Sequence, residues 1–119
     1  MRTSELTGAA LDWAVAKCEG YTDWCAETEK LLPPRRVYGW VDLCDLNYST
    51  DWAQGGFIIE REEISVERRK PCMKDEQWGA KGWKAMQNFH TGPTPLIAAM
   101  RCYVASNLGD EVDVPEELA

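Results

Sequence analysis

Apolar side chains recur at helical spacing in residues 94–109, and both ends of this segment carry residues that delimit a helix. Thr94 is suited to the N-cap, Pro95 to the first helical position, and Gly109 to a left-handed stop. The apolar positions are three and four residues apart, which predicts a helix with one buried face. That face consists of Leu96, Ile97, Met100, Tyr103 and Val104.

A second helix is predicted over residues 7–19, followed by a glycine that would end it. Leu6 precedes a Thr7 cap and Leu11 lies four positions further on, which is the spacing of a hydrophobic staple. Trp13 points nearly opposite to the main apolar face of this helix. A large aromatic side chain there is typical of a helix between two layers, or of contact with a partner.

The middle of the chain gives weaker signals. Residues 21–36 have no clear period and contain two adjacent prolines, so we expect a loop. Residues 37–43 are rich in β-branched and aromatic side chains, which favours an extended segment. A short helix is predicted to begin near Asp51, because three residues with capping side chains come together there. Gly55 and Gly56 oppose this helix, since each costs roughly 1 kcal/mol relative to Ala in a helix interior.

Two antiparallel strands are predicted between the short helix and the last one. Residues 64–68 alternate between apolar and polar side chains, and residues 78–86 are the second candidate. The order of elements predicts an α+β fold in which the N-terminal and C-terminal amphipathic helices pack on a small antiparallel sheet, similar to an α/β/α sandwich. We expect one globular domain over residues 1–109 and an acidic C-terminal tail over residues 110–119.

Length and charge narrow the class of protein. A chain of 119 residues can form one modest core without cross-links. Of the net charge of −7, the last ten residues carry −5, which is typical of a frayed, solubilising end. The nearly neutral remainder lacks the basic field of a nucleic-acid binder. No apolar run approaches the roughly 20 residues that cross a bilayer, and no secretory signal pattern is present, so we expect an intracellular protein without membrane contact.

The cysteines and the single histidine give no catalytic or metal-binding signature. Five cysteines lie at irregular spacing without a C-x-x-C pair, and His90 alone cannot complete a zinc pattern. A catalytic cysteine would need a neighbouring base. The sequence also lacks phosphate-loop, nucleophile-elbow and dinucleotide-binding motifs. We therefore expect free, buried or half-buried thiols in a reducing compartment, no metal, no cofactor and no enzymatic activity.

The segment that enters the last helix is the best candidate for a ligand site. Helix N-termini attract anions through free backbone N–H groups, although Pro93 and Pro95 remove two such donors here. A polar pocket with a tryptophan as stacking platform is expected there, and ordinary helix capping is the alternative interpretation. The candidate ligand-binding residues are Tyr48, Thr50, Asp51, Trp52, Arg61, Trp83, His90, Thr91, Thr94 and Arg101.

Three blocks of the sequence resemble one family of small proteins from tailed phages. The blocks are ELTGAALDWAVA at residues 5–16, YSTDWAQGG at residues 48–56 with IIERE at residues 58–62, and residues 92–104. The family is that of the NinX-like proteins of unknown function, similar to the phage ABA sandwich domain. This resemblance implies a helix–sheet–helix layering and a helix after Ser49, and it supplies no catalytic residues. Phe57 stands where the family is expected to have proline, and residues 21–46 lie outside the resemblance.

The resemblance implies a phage-encoded, non-enzymatic accessory protein in the cytoplasm of the host cell. We expect it to bind and neutralise a host defence or regulatory component, with sequestration of a small nucleotide-type signal as the leading hypothesis. The alternative is a protein–protein interaction module that antagonises a host protein through an exposed aromatic surface. A homodimer is compatible with either role. The candidate partner-interface residues are Trp13, Trp24 and Trp40.

Overall fold

The computed structural model describes residues 1–35, 39–69, 76–82 and 89–119. Within these residues the helices are α1 (Gly8–Cys18), α2 (Trp52–Arg61) and α3 (Pro95–Leu108). The strands are β1 (Thr22–Cys25), β2 (Lys30–Leu32), β3 (Val41–Asp42), β4 (Ile64–Arg68), β5 (Trp78–Gly82) and β6 (Phe89–Gly92). They form two antiparallel sheets, β1-β2-β3 and β4-β5-β6. The predicted α+β class is confirmed, with two small sheets where one was expected.

Helix α3 is the centre of the core, because it packs against β4, β5 and β6 and also against α1 and α2. The predicted caps are confirmed: Thr94 Oγ1 accepts a hydrogen bond from the Ile97 N–H at 3.1 Å, and Gly109 follows the helix with φ +86°. A Cβ on Gly92 would lie 2.8 Å from the Ala98 nitrogen, so glycine is needed where the helix rests on β6. The buried residues of α3 occur all round the helix and not on one stripe.

Helix α1 has the predicted position, with Thr7 at the N-cap and a left-handed Gly20 after its end. Leu6 and Leu11 are fully buried, in agreement with a hydrophobic staple, although the Thr7 side chain makes no capping bond. Trp13 is only 7% exposed and belongs to the hydrophobic core. This corrects its assignment to a partner interface, because the indole fills space inside the protein.

Helix α2 is also confirmed, and a side chain caps it. Asp51 Oδ1 accepts a hydrogen bond from the Ala53 N–H at 2.9 Å. The two glycines differ in their surroundings: a Cβ on Gly55 would lie 2.2 Å from the Tyr48 carbonyl oxygen, whereas a Cβ on Gly56 would meet nothing closer than 3.6 Å. Gly55 therefore allows α2 to pack closely against its neighbours.

The prediction of a loop over residues 21–36 is wrong, because β1 and β2 form a hairpin within this segment. The hairpin turn uses Glu29 with φ +51°, a left-handed position that is usually filled by glycine or asparagine. The extended segment expected over residues 37–43 is reduced to β3, which is followed by a 3₁₀ turn at Leu43–Asp45. Residues 36–38 lie outside the described part of the chain.

The second sheet confirms the predicted antiparallel pair and adds a strand. Ile64 pairs with Gly82 and Arg68 with Trp78, so β4 and β5 are in register along their whole length. The strand expected over residues 78–86 is described as far as Gly82, and residues 83–88 lie outside the described part. Strand β6 occupies the start of the segment that was expected to be a loop.

The acidic segment after α3 does not extend freely into solvent, and the expectation of a frayed end is wrong for its first half. The Thr3 N–H donates to the Asp110 carbonyl at 2.9 Å, and the Val112 N–H donates to the Met1 carbonyl at 2.8 Å. Val112 is 5% exposed and lies in the core. Its apolar side chain anchors the segment, while the acidic side chains around it remain exposed.

Candidate functional site

The turn at residues 47–51 is the point at which helix N-termini meet. The Asp51 N–H donates to the Asn47 carbonyl at 2.7 Å. The Ser49 N–H donates to Asp12 Oδ1 of α1 at 2.9 Å. The first bond closes the turn immediately before α2, and the second attaches the turn to α1.

Two cavities adjoin this turn, and Thr50 lines both of them. The first, named here the Trp52 cavity, has a volume of about 210 Å³ and includes Trp52 at the start of α2 and Thr94 and Pro95 at the start of α3. The second, named the Asp12 cavity, has a volume of about 340 Å³ and lies against the first turns of α1. The N-terminal ends of all three helices thus border the space around one turn.

At the Trp52 cavity, the starts of α2 and α3 supply partial positive charge that attracts an anion, and the Asp51 carboxylate at the α2 cap offsets part of it. The N-terminal turn of an α-helix carries partial positive charge and N–H groups without intrahelical partners. The side chains of Asp51 and Thr94 each occupy one such group, at Ala53 and Ile97. The remaining first-turn N–H groups resemble those with which other helices hold phosphate or carboxylate.

Trp52 provides a flat apolar surface at the same place. Its side chain is 57% exposed, and its ring lies over Gly56, where a Cβ would approach ring atom Cε3 to 3.6 Å. An exposed indole beside threonine hydroxyls suits a planar ring, since stacking a nucleobase on an aromatic side chain contributes roughly 1–3 kcal/mol. The Trp52 cavity therefore combines a stacking surface with hydrogen-bonding groups.

A third cavity, the Arg101 cavity, has a volume of about 460 Å³ and includes Thr91, Arg101, Glu5 and Glu76. Arg101 is 6% exposed, and its guanidinium donates to the carbonyls of Leu6 at 2.9 Å and Thr91 at 2.8 Å. These bonds hold the N-terminal segment against the loop before α3. The two glutamates make this cavity less suited to an anion than the Trp52 cavity.

The structure places five of the ten candidate ligand residues at cavities, but divides them between two cavities. Thr50, Trp52 and Thr94 line the Trp52 cavity, and Thr91 and Arg101 line the Arg101 cavity. Asp51 lies between the turn and α2, where its carboxylate serves as the cap. Trp83 falls outside the described residues.

Tyr48, Arg61 and His90 line none of these three cavities. Tyr48 is half-buried, and burial, followed by the nearby Tyr21, raises the pKa of its hydroxyl. His90 lies half-buried on β6, where burial lowers its pKa against the opposing charge of Asp110.

Arg61 is committed to a different part of the protein. Its guanidinium donates to both carboxylate oxygens of Glu19, at 2.9 and 2.7 Å, and to the Tyr103 hydroxyl at 3.0 Å. Tyr103 lies nine residues beyond Thr94 on α3, about 13 Å along the helix axis. Arg61 therefore joins helices together and does not reach the loop before α3, contrary to the expectation.

The three candidate partner residues differ in exposure. Trp13 is buried, as described above, and Trp24 is half-buried with its indole nitrogen enclosed. Trp40 is 48% exposed. Of the three, Trp40 is the one that presents a large apolar surface to solvent.

Two further residues, Asp12 and Phe57, were not among the candidate site residues predicted from the sequence. Asp12 is 6% exposed and lines its own cavity, and Phe57 on α2 is 63% exposed. A single acidic residue in the otherwise apolar run ALDWAV was the signal for Asp12. The signal for Phe57 was its replacement of an expected proline.

The sequence profile of the family described as Bacteriophage P22, NinX, matches residues 2–107. The chain belongs to this family. The match includes α1, α2, all but the last residue of α3 and the turn at residues 47–51, so the three cavities of this NinX-family protein lie within the family region. The resemblance drawn from the sequence is thereby confirmed. No curated protein matches the chain.

The described residues show neither a cluster of metal ligands nor a membrane-spanning helix. Cys102 is buried and Cys18 and Cys25 are half-buried, as expected, whereas Cys44 is exposed. No group of three or more His, Cys, Asp or Glu side chains in the described ranges could hold a metal ion. None of the described helices has the length and apolar character needed to span a bilayer.

Proposed function

We propose that this NinX-family protein is a phage accessory protein that binds a nucleotide-type ligand in the Trp52 cavity and so withholds it from a host defence or regulatory system. The observation that carries the proposal is that the N-termini of α2 and α3 both border the Trp52 cavity, beside the exposed ring of Trp52. A ring stacked on Trp52 would place an attached phosphate near the N-termini of α2 and α3.

The geometry of the cavity supports this ligand class. Pro95 has no N–H, and the Ile97 N–H is used by the Thr94 side chain, so the Leu96 N–H is the remaining first-turn donor of α3. The hydroxyls of Thr50 and Thr94 add donors that rotate to suit a phosphate oxygen. Such a site binds a phosphate with hydrogen bonds and partial charges, without a cationic side chain.

Sequestration without chemical conversion is the role we assign to this site. The half-buried Cys18 and the buried Cys102 are poor nucleophiles, because burial and then the charge of Glu19 raise the pKa of Cys18 to about 12, and burial raises that of Cys102. Hydrogen bonding with Thr28 lowers the pKa of Cys25, but Cys25 lines none of the three cavities. Burial also lowers the pKa of His90, which lines none of the three cavities. The protein would act by binding its ligand in the cytoplasm of the host.

The test is a thermal-shift screen of the purified protein with mononucleotides and cyclic dinucleotides, followed by calorimetric titration of any hit. A ligand at 100 times its Kd stabilises the folded state by about 2.7 kcal/mol, which corresponds to roughly 8 °C or more for a chain of this size. Trp52→Ala should abolish the shift. Phe57→Ala, which removes an equally exposed ring from the same helix, should preserve it. The proposal fails if no nucleotide shifts the melting temperature, or if Trp52→Ala binds as well as the wild type.

A second candidate function is antagonism of a host protein through an exposed aromatic surface. Trp52 and Phe57 are 57% and 63% exposed, and they delimit an arc of about 140° on the outer side of α2. Aromatic side chains of this kind often supply most of the binding energy at interfaces. Here both Trp52→Ala and Phe57→Ala should abolish binding to the host protein, so the same two variants distinguish the two functions. A homodimer formed through this face would be lost in both variants by size-exclusion chromatography.

A further inference from the structure

Asp12 is a buried acid whose charge has no cationic partner among the described residues. Its side chain is 6% exposed, and Oδ1 accepts a hydrogen bond from the Ser49 N–H at 2.9 Å. No ion pair within the described ranges includes it. A carboxylate has acceptor positions for about four hydrogen bonds, so one neighbouring residue leaves part of its capacity unused.

Asp12 also borders an open volume. Asp12 lines the cavity of about 340 Å³ together with Glu29, Asn47 and Thr50. All four side chains offer oxygen acceptors, and none of the described lining residues is basic. Burying a carboxylate without a compensating partner is costly, and burial outweighs the bonds from Ser49 and raises the pKa of Asp12.

We propose that the Asp12 cavity binds a planar group with two adjacent N–H donors, such as a guanidinium or the N–H edge of guanine. A carboxylate accepts two parallel N–H bonds from such a group, which is the strongest pairing open to it. Glu29 and Asn47 would accept from the outer edge of the group. The Asp12 cavity adjoins the Trp52 cavity and shares Thr50 with it, but its other lining residues differ, and the inference holds whether or not a nucleotide binds in the Trp52 cavity.

The test uses the full-length protein labelled with ¹⁵N and titrated with four probes at millimolar concentration. Methylguanidinium is compared with methylammonium, which has the same charge without the planar donor pair, and guanosine is compared with inosine, which lacks the 2-amino group. We expect methylguanidinium or guanosine to shift the amide signals of Gly8, Ala9 and Ser49, with methylammonium and inosine having at least tenfold weaker effects. Binding of methylguanidinium would indicate a guanidinium ligand, and binding of guanosine would indicate a guanine base.

Two variants and one control complete the experiment. Asp12→Asn retains an oxygen that can accept from Ser49 and should weaken binding at least tenfold. Glu29→Gln, at an exposed side chain that the fold does not depend on, should weaken it several-fold, so the proposal stays testable if Asp12→Asn fails to fold. Asp113→Asn should bind as the wild type does. Absence of binding by both methylguanidinium and guanosine, or equal binding by both cavity variants and the wild type, would show that Asp12 only anchors the turn.

Discussion

Arg61 at the end of α2 and Glu19 after α1 form a bidentate ion pair, with both carboxylate oxygens accepting from the guanidinium at 2.9 and 2.7 Å. Tyr103 of α3 completes the contact, since its hydroxyl donates to Glu19 at 2.6 Å and accepts from Arg61 at 3.0 Å. Residues of α2 and α3 and the residue that follows α1 are thereby joined at one point. The cluster holds α2 in place at the end opposite to the Trp52 cavity.

The first prediction concerns the strength of this pair. Glu19 is 18% and Arg61 36% exposed, so the pair is partly shielded from solvent. Glu19→Gln should lower the free energy of unfolding by about 1–2 kcal/mol, between the values for exposed ion pairs and for hydrogen bonds to buried charges. A double-mutant cycle with Arg61→Met, measured by urea unfolding, gives the coupling energy. Glu60→Gln, on the exposed side of the same helix, is the control and should change the free energy of unfolding little. A coupling energy near zero between Glu19 and Arg61 would contradict the prediction.

The second prediction concerns acid sensitivity. Burial alone would raise the pKa of Glu19, but the hydrogen bonds from Arg61 and Tyr103 and the charge of Arg61 outweigh it and hold that pKa below its ordinary value. The stabilisation is therefore complete above the ordinary pKa and is lost as the pH falls below it. The difference in unfolding free energy between wild type and Glu19→Gln should shrink from about pH 6 to about pH 3. The contribution of Asp12 to the pH dependence is the same in both proteins and cancels in this comparison. If the difference in unfolding free energy stayed constant between pH 6 and pH 3, ionisation of Glu19 would not be the source of the stabilisation.

The helices could be predicted from the sequence because their signals are local. Thr94, Pro95 and Gly109 lie within one segment and specify both ends of α3 without reference to the rest of the chain. The same holds for the Asp51 cap of α2. What the local pattern could not give is the number of neighbours of α3, so one buried stripe was expected where the helix is covered on all sides.

The strands and the charged site residues depend on distant contacts and were predicted less well. The β1–β2 turn places Glu29 in a left-handed conformation, so the glycine or asparagine that marks most hairpins is missing. Arg61 and Arg101 were assigned to a ligand, yet their partners Glu19 and Leu6 lie 42 and 95 residues away in sequence. Such pairings follow only from the folded chain. Thr50, Trp52 and Thr94 could be selected from the sequence because they stand at two helix starts with local capping signals, and the structure places them at one cavity. That they bind a ligand stays a prediction.

The third prediction concerns the acidic segment after α3. Val112 is 5% exposed and bonded to Met1, so Val112→Ala removes two buried methyl groups and should lower the unfolding free energy by about 1–2 kcal/mol. Asp113→Ala changes an exposed neighbour and should stay within about 0.5 kcal/mol of wild type. Urea unfolding at neutral pH measures both. If the two variants were equally stable, the segment would be undocked in solution.

The fourth prediction uses the two adjacent glycines of α2 as a matched pair. Alanine favours a helix interior over glycine by about 1 kcal/mol, so propensity alone predicts that both substitutions stabilise the protein. A Cβ at position 55 would lie 2.2 Å from the Tyr48 carbonyl oxygen and 2.6 Å from Leu96 Cδ2, whereas position 56 has room. Gly56→Ala should therefore stabilise by up to about 1 kcal/mol, and Gly55→Ala should destabilise by at least about 2 kcal/mol, because the backbone oxygen cannot move aside like a flexible side chain.

The Gly55 variant also tests whether the close contact of α2 shapes the Trp52 cavity. Tyr48 leads into the turn at residues 47–51, and Leu96 lines the cavity, so displacing either changes the surroundings of the indole. The tryptophan emission spectrum should shift in Gly55→Ala and lose the shift when Trp52 is also replaced by phenylalanine, while Gly56→Ala should retain the wild-type spectrum. Equal stability of Gly55→Ala and Gly56→Ala would contradict the prediction. It would mean that α2 packs less closely on Tyr48 and Leu96 than in the structure, and that the Trp52 cavity is wider.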